Sequence, residues 1–430
     1  MSHAVPSIRP HDVLLIGGGP AALGALCAMI RTGVAERQSV LMLDDAPDRC
    51  GRIGDHAIPS DTQAEKFLTC LDGLPDRITQ DTALVSLGDA LAARSGRSAP
   101  LPLVGEFLAR LKRLVLNDLR RRQSLVLRAA RCDTLRYENG LWSVDNQPGA
   151  LAHRLILACG ASERRSDALA TLIGLGLNPD ATDKVVLSSE GFGWRRTEVE
   201  ARLMDAETPR VAIVGGSHSA IASAAALLAG EAGTRLGTDA ITLHHRRPMT
   251  ATFDSPAAAR EAGYADFGAD DICPVTGRVH ALGGFRLDSR ALLMRLRGWG
   301  GAPAEPRVRT VDLTNADALR RSLADATVVI SALGYRPDFP RMIVSGQAVR
   351  FGGQTHVDPQ SRLLDADGQV LPAAQAVGLA MGYDLRGRFG EPGFKGQANG
   401  LVLWFKEIAE TVAGADGLSA MDDDLAAAAA

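Results

Sequence analysis

A strand–glycine–helix pattern that occurs twice is the feature that most constrains how this chain can fold. The first copy is VLLIGGGPAALGALCAMI at residues 13–30, and the second is VAIVGGSHSAIASAAALLAG at residues 211–230. In both copies an apolar run typical of a strand ends in glycines and continues into small and apolar residues typical of a helix. A turn without Cβ atoms lets backbone N–H groups at the helix N-terminus approach a pyrophosphate. Two copies therefore predict two dinucleotide-binding units in one chain.

The residues of the two turns are the predicted contacts to two pyrophosphates. Alanine replaces the third glycine of the first turn, and serine stands where the second key glycine of the second turn is expected. A tight turn that binds nothing is the alternative for each copy. The candidates are Gly17, Gly19, Pro20 and Ala21 in the first turn and Gly215, Gly216, Ser217, His218 and Ser219 in the second.

The strand that follows each turn indicates which nucleotide the turn binds. The first such strand ends at Asp44 and Asp45, where a carboxylate can accept hydrogen bonds from both ribose hydroxyls. The second is followed by Arg246 and Arg247, whose charges suit a ribose 2′-phosphate. We therefore predict FAD in the first site and NADPH in the second.

Two further buried-strand patterns indicate how the units are arranged. RLILACGA (residues 154–161) and ATVVISALGYRP (residues 326–337) share an apolar run, small residues and a glycine. We predict an α/β fold of two nested Rossmann-like dinucleotide-binding domains of the three-layer ββα type. The predicted ranges are 1–205 for the first part of the FAD-binding domain, 206–325 for the NADPH-binding domain, 326–413 for the second part of the FAD-binding domain and 414–430 for a disordered tail.

Composition argues against several other classes of protein. The formal net charge is −3, whereas a nucleic-acid-binding domain is usually basic. No stretch reaches the roughly 18 apolar residues that a membrane span needs, and no secretory signal pattern is visible. The six cysteines form no C-x-x-C pair, which favours a reducing compartment. We expect a cytoplasmic protein with no nucleic-acid partner, no membrane association and no metal, since the adjacent His244 and His245 point to opposite strand faces.

One strongly basic segment, RLKRLVLNDLRRR at residues 110–122, needs a separate interpretation. Apolar residues in and before it keep helical spacing, which predicts an amphipathic helix whose charges form a solvated outer face. These apolar residues are Val104, Phe107, Leu108, Leu111 and Leu114.

Over nearly its whole length the chain resembles the two-dinucleotide-binding flavoproteins, and among them the flavin-containing and N-hydroxylating monooxygenases. GGGPAALGAL is similar to their FAD fingerprint, and LILACGA and VISALGYRPD are similar to the turns that link their two domains. VAIVGGSHSAIAS, FDSPAAAREAGYAD and LSSEGF resemble stretches of the N-hydroxylases. The monooxygenase fingerprint Phe-x-Gly-x-x-x-His is not visible.

The resemblance implies an FAD-dependent, NADPH-using monooxygenase. The composition, rich in arginine and alanine, indicates a GC-rich bacterial source and favours a role in secondary metabolism. Such an enzyme inserts one oxygen atom of O2 into a small-molecule substrate through a flavin C4a-hydroperoxide, by N-hydroxylation or by Baeyer–Villiger insertion. Two alternatives stay open. One is an FAD/NAD(P)H oxidase or reductase without oxygen insertion, and the other is a non-catalytic nucleotide-sensing flavoprotein.

Two segments supply the candidate residues around the flavin. In GRIGDHAIPSDT, Arg52 is a candidate for the pyrophosphate, while Ser60 and Asp61 are candidates to face the isoalloxazine ring. The resemblance also implies flavin contacts from the segment before the last helix, namely Gly378, Gln397 and Asn399. The predicted catalytic residues are Ser60, Asp61 and Gln397, and an ordinary polar loop residue is the alternative for Arg52, Ser60 and Asp61.

Overall fold

The structure, a computed structural model, describes residues 9–353, 355–383, 390–394, 396, 400–405 and 407–414. Its strands are β1 (His11–Ile16), β2 (Val40–Leu43), β3 (Pro59–Gln63), β4 (Ser98–Pro100), β5 (Leu125–Arg128), β6 (Thr134–Glu138), β7 (Leu141–Val144), β8 (Leu151–Leu157), β9 (Ala161–Ser162), β10 (Val185–Leu187), β11 (Val211–Val214), β12 (Ile241–His245), β13 (Val308–Asp312), β14 (Val328–Ser331), β15 (Arg336–Pro337), β16 (Arg341–Val344), β17 (Gln347–Ala348), β18 (Arg362–Leu364) and β19 (Val370–Ala376).

The helices alternate with these strands along much of the chain. They are α1 (Pro20–Arg31), α2 (Asp76–Thr79), α3 (Thr82–Ala92), α4 (Leu101–Arg121), α5 (Arg165–Gly174), α6 (Ser188–Gly191), α7 (Arg196–Asp205), α8 (His218–Ala229), α9 (Pro256–Glu261), α10 (Leu287–Arg297), α11 (Ala316–Asp325), α12 (Leu401–Phe405) and α13 (Glu407–Ala413). Short 3₁₀ turns lie at Val34–Glu36, Ile53–Asp55, Ala64–Leu71, Pro179–Lys184, Glu231–Thr234, Ala269–Asp271 and Trp299–Gly301. Among the helices of the described residues, none has the length and apolar character that a bilayer crossing requires.

The first of two large sheets carries the first glycine turn at the end of β1. Its order is β17-β16-β6-β7-β8-β1-β2-β5, with β19 also pairing with β8 and β18 with β19. Strands β8, β1, β2 and β5 are parallel neighbours. Strands β6 and β7 form an antiparallel hairpin around Asn139 and Gly140, both at positive φ, as the Asn-Gly pair indicates.

The second large sheet carries the second glycine turn. Its order is β10-β14-β11-β12-β13, and all of its described pairings are parallel. Helix α8 follows β11 as α1 follows β1. The predicted α/β fold with two Rossmann-like units is therefore confirmed.

The chain crosses between the two units twice, and the two crossings are hydrogen-bonded to each other. Strands β9 and β15 pair antiparallel, with Arg336 opposite Ser162 and Pro337 opposite Ala161. The Ser162 hydroxyl donates to Asp338 Oδ1 at 2.5 Å. The second unit is therefore an insertion whose entry and exit segments form one short ribbon, which we call the crossing ribbon.

Sheet membership suggests wider limits for the inserted unit than the sequence does. Strands β10 and β14 belong to the second sheet, although both lie outside residues 206–325. Both lie between the two strands of the crossing ribbon along the chain. We therefore propose that the inserted unit is the segment between Ser162 and Arg336.

Close packing against the C-terminal helices holds α1 in place. A Cβ on Gly24 of α1 would lie 2.6 Å from the Trp404 carbonyl oxygen, so only glycine permits this approach. The Arg31 guanidinium donates to the Phe405 carbonyl at 2.7 Å. The helix that begins at the first glycine turn is thus fixed between the sheet and the end of the described chain.

Helix α4 is amphipathic as predicted, but the prediction that its charges form a solvated face was wrong for two of them. The Lys112 side chain is 1 % exposed and that of Asp118 is 9 % exposed. Lys112 pairs with Asp44, and Asp118 pairs with Arg77 and Arg122. A charged side chain is stable at such a position only when a partner replaces the water it loses.

Candidate dinucleotide-binding sites

The first glycine turn has the shape of a phosphate cradle. The Gly17 N–H donates to the Leu43 carbonyl at 2.8 Å, and its φ of +97° lies in the left-handed region. A Cβ on Gly17 would be 2.4 Å from the Ala158 oxygen. Gly19 is the N-cap residue of α1 and has no side chain to cap it, and Pro20 is the first helical residue. Among the described residues no side chain caps this turn of α1, so its N–H groups can bind an anion.

Asp44 lies directly against this turn, together with a partner that the sequence did not indicate. A Cβ on Gly18 would be 1.8 Å from Asp44 Oδ2 and 2.6 Å from Lys112 Nζ. The Lys112 ammonium donates to Asp44 Oδ2 at 2.5 Å and also to the Arg49 carbonyl. Asp44 Oδ1 accepts a hydrogen bond from the Ala46 N–H at 3.1 Å. The other candidate, Asp45, is exposed.

The remaining candidates of the first site lie in different places. Gly378 is beside the turn, because a Cβ on it would be 3.4 Å from Ala21 Cβ. Its N–H donates to the buried Tyr383 hydroxyl at 3.0 Å. Arg52 lies at the crossing ribbon instead, where it donates to the Ala161 carbonyl at 3.2 Å and is 3.5 Å from Asp338. Gln397 and Asn399 lie outside the described residues.

The second glycine turn repeats the backbone geometry of the first. The Gly215 N–H donates to the His244 carbonyl at 2.9 Å, and a Cβ on Gly215, whose φ is +143°, would be 2.1 Å from the Ala332 oxygen. Ser217 is the N-cap residue of α8 and its side chain makes no capping hydrogen bond. Ser219 lies in the first turn of α8. The N-terminus of α8 is thus available to an anion in the same way as that of α1.

The residues after β12 surround the second turn with a different chemistry. Arg246 and Arg247 are exposed, and no ion pair to a described carboxylate involves them. The residue that lies against the turn is His245, because a Cβ on Gly216 would be 2.7 Å from His245 Cβ. Burial lowers the pKa of His245. The next residue back, His244, is fully buried, and both of its ring nitrogens lack a partner among the described residues.

A polar cluster joins the two units beside the second turn. Asp61 on β3 accepts a hydrogen bond from the Arg286 N–H at 3.1 Å and lies 3.7 Å from its guanidinium. Asp61 is also 3.8 Å from His218 Nδ1, which is 3.1 Å from the Ser289 hydroxyl. Burial raises the pKa of Asp61 and lowers that of His218. We call these four residues the junction cluster; it brings together one candidate from each predicted site.

Ser60 is the neighbour of Asp61 in the chain but has a different environment. Its side chain is buried, and its hydroxyl donates to the Thr62 carbonyl at 2.6 Å and accepts from the Ala99 N–H at 3.3 Å. The first bond lies within β3, and the second links β3 to β4. The structure therefore brings Asp61, and not Ser60, into the junction cluster.

Three candidate site residues were not predicted from the sequence, and only one of them has a recognisable sequence signal. Lys112 continues the apolar stripe of α4, since it follows Leu108 by four residues and precedes Val115 by three. A lysine in that stripe is a signal of a buried charge. Arg286 and Ser289 gave no such signal, because only the fold brings them to β3.

Comparison with known proteins gives one curated relative along nearly the full chain. No protein-family model matches the sequence. The CMP-5'-(3-aminopropyl)phosphonate hydroxylase of Streptomyces rubellomurinus (strain ATCC 31215) is 29 % identical, over 94 % of this chain and 96 % of the relative.

Solved structures share the architecture at low sequence identity. The ornithine N-hydroxylase of Kutzneria sp. 744 has a TM-score of 0.53 at 15 % identity, covering 97 % of this chain and 100 % of that one. The ornithine hydroxylase of Pseudomonas aeruginosa has a TM-score of 0.53 at 15 % identity, covering 94 % and 98 %. The chain has the fold of the ornithine N-hydroxylases. The predicted resemblance to N-hydroxylating flavoprotein monooxygenases is confirmed.

Proposed function

We propose that this chain is an FAD- and NADPH-dependent monooxygenase that adds one oxygen atom from O2 to the nitrogen of a small primary amine. The observation that carries the proposal is the pair of open glycine turns in a chain that aligns with a hydroxylase over 94 % of its length. One chain thus offers a place for a redox ring and a place for its hydride donor.

The first unit fits the ADP part of FAD. Glycine at positions 17 and 18 permits close contacts within the protein that a Cβ would block, the N-terminus of α1 suits a pyrophosphate, and Asp44 suits a ribose. Bound FAD supplies hydride acceptance from NADPH and the activation of O2 for transfer of one oxygen atom. The chain has to bind this group, orient its ring and keep water from it.

The second unit fits NADPH. The N-terminus of α8 offers the pyrophosphate a second set of N–H donors, and the exposed Arg246 and Arg247 offer charge to a 2′-phosphate. We propose that the junction cluster orients the two units at the place where the cofactors meet. Ser60, Asp61 and Gln397 remain the proposed residues near the flavin ring.

The substrate class follows from what the named relatives have in common. The aminopropyl group of the Streptomyces compound and the ornithine of the two solved hydroxylases each end in a primary amine on a short alkyl chain. This supports N-hydroxylation over Baeyer–Villiger insertion. We propose a substrate with a primary amine on a chain of about three carbons.

Turnover in air tests the proposal. Purified protein is expected to be yellow and to oxidise NADPH faster when ornithine or 3-aminopropylphosphonate is added than when cyclohexanone is added. One NADPH and one O2 should be consumed for each product that is heavier by one oxygen atom. Hydrogen peroxide in place of product would support an oxidase, and a colourless protein that ignores NADPH would rule out the proposal.

A further inference from the structure

Lys112 lies beneath the first glycine turn, 68 residues from the aspartate that it contacts. Its side chain is 1 % exposed, and its ammonium donates to Asp44 Oδ2 at 2.5 Å and to the Arg49 carbonyl. The same nitrogen would be 2.6 Å from a Cβ on Gly18. A buried cation therefore lies in contact with the turn where the pyrophosphate is proposed to bind.

The Asp44 carboxylate keeps free acceptor sites after it has paired with Lys112. An ionised carboxylate accepts about four hydrogen bonds. The Ala46 N–H and the Lys112 ammonium use one site each. About two sites remain, which is the number that the two hydroxyls of an adenosine ribose need.

Charge gives a second reason for a lysine at this place. A pyrophosphate brings two negative charges to the turn, and the Asp44 side chain is 6 % exposed. An isolated carboxylate there would be costly to bury and would repel the phosphates. Lys112 balances the charge of Asp44 before any nucleotide binds.

We propose that Lys112 is a positioning residue for the adenosine end of FAD, acting through Asp44. It holds the carboxylate against Gly18 with its free acceptor sites available to the ribose, and it cancels the repulsion between that carboxylate and the pyrophosphate. This inference rests on the proposed function, because it assumes that the first turn binds FAD.

A double-mutant cycle on the dissociation constant of FAD tests the inference. The variants are Lys112→Met, Asp44→Asn and the double variant, prepared as full chains, stripped of flavin and titrated with FAD by flavin fluorescence. Lys112→Met is expected to raise the dissociation constant at least tenfold, since it leaves Asp44 buried, charged and unpaired. Adding Asp44→Asn should recover part of that loss, so that the double variant binds FAD more tightly than Lys112→Met alone.

A control and a second measurement separate positioning from plain structural support. Lys66→Met removes an exposed lysine and should leave the FAD dissociation constant within twofold. Melting of each variant without flavin reports on folding, and the neutral double variant should fold even where Lys112→Met does not. Equal FAD affinity in wild type and Lys112→Met, or additive effects of the two substitutions, would overturn the inference.

Failure of the inference is distinguishable from failure of the proposed function. FAD binding is measured without turnover, so it does not depend on the substrate or on oxygen. If wild type does not bind FAD, both the inference and the proposed function are wrong. If wild type binds FAD and the cycle shows no coupling, only the role of Lys112 is wrong.

Discussion

The two glycine turns have similar backbone geometry and different electrostatic surroundings. In register, Leu43 pairs with Ile16 at the end of β1, and His244 pairs with Val214 at the end of β11. The next residue in each case lies against the middle glycine: Asp44 in the first unit and His245 in the second. Asp44 is charged and paired with a buried lysine, whereas His245 is followed by two exposed arginines.

A glycine turn and a preference for one nucleotide are therefore separate properties. The glycines and the helix N-terminus accommodate a pyrophosphate, which FAD and NADPH both contain. The residues that follow β2 in the first unit and β12 in the second determine whether ribose hydroxyls or a ribose 2′-phosphate are favoured. A carboxylate suits two hydroxyls, and a cationic surface suits a phosphate.

The largest expected effect comes from filling each turn with one methyl group. A Cβ at Gly18 overlaps Asp44 and Lys112, so Gly18→Ala should weaken FAD binding at least 100-fold and give colourless protein. A Cβ at Gly216 would be 2.7 Å from His245, so Gly216→Ala should keep the flavin and raise KM for NADPH at least tenfold. Absorbance spectra and NADPH titrations measure both effects.

Gly237→Ala is the matched control, because a Cβ at Gly237 has no neighbour within 4 Å. It should change neither flavin content nor KM. Loss of flavin from Gly216→Ala would show that the two turns are not independent sites.

The next effect is on the choice between the two nicotinamide nucleotides. Replacing Arg246 and Arg247 together by alanine should raise KM for NADPH by about 10- to 100-fold, because charge-assisted hydrogen bonds to phosphate are worth roughly 1.5–3 kcal/mol. KM for NADH should change less than threefold. The exposed pair Arg120 and Arg121 on α4, also replaced by alanine, controls for lost surface charge. An equal rise for NADPH and NADH would mean that these arginines do not contact the 2′-phosphate.

A smaller effect is expected at the junction cluster between the turns. Asp61→Asn removes the charge that faces His218 and Arg286, and it should slow flavin reduction by NADPH about tenfold without changing FAD affinity. Asp89→Asn is the comparison, because it makes the same change at an exposed residue of α3. Its reduction rate should stay within twofold of wild type. Stopped-flow absorbance of the flavin gives both rates, and equal rates for wild type and Asp61→Asn would exclude a role for the cluster.

The smallest expected effect is a change in protein stability when His244 is replaced. His244 occupies the position in the second sheet that Leu43 occupies in the first. Burial lowers the pKa of His244 to about 4, and its ring nitrogens have no described partner. His244→Leu copies the first unit and should stabilise the protein by about 1–3 kcal/mol.

The pH dependence of this effect has a definite sign. The folded-state pKa of His244 is below the ordinary value of 6.5, so the wild-type protein loses stability as pH falls from 6.5 towards 4. The gain in melting temperature from His244→Leu should therefore be larger at pH 5 than at pH 8. The reverse order would show that His244 has a favourable charged partner.

Local patterns in the sequence were enough to predict the two units and their glycine turns. Strand, glycine and helix lie within about 20 consecutive residues, so the backbone hydrogen bonds of Gly17 and Gly215 follow from neighbouring segments. The residues around the proposed ribose position were only half predictable from the sequence. Asp44 directly follows β2, the strand next to β1, whereas Lys112 contacts it from α4, a helix whose position only the fold determines.

The contacts of the junction cluster could not be predicted from the sequence. Asp61 and His218 were candidates for two different sites, and nothing in their neighbourhoods indicated that they lie 3.8 Å apart. Arg286 directly precedes α10 and Ser289 lies in its first turn. No sequence motif covers either residue. Contacts between units depend on how the insertion is oriented, and no single segment specifies that orientation.

The crossing ribbon makes the inserted unit separable at a defined point. Ser162 and Arg336 face each other in an antiparallel pair, whose ends a two-residue hairpin such as Asn-Gly can join. Replacing residues 163–335 by that dipeptide would rejoin the two parts of the first unit at the crossing ribbon. We therefore expect the inserted unit to be removable there, because the buried core residues of the first unit all lie outside residues 163–335.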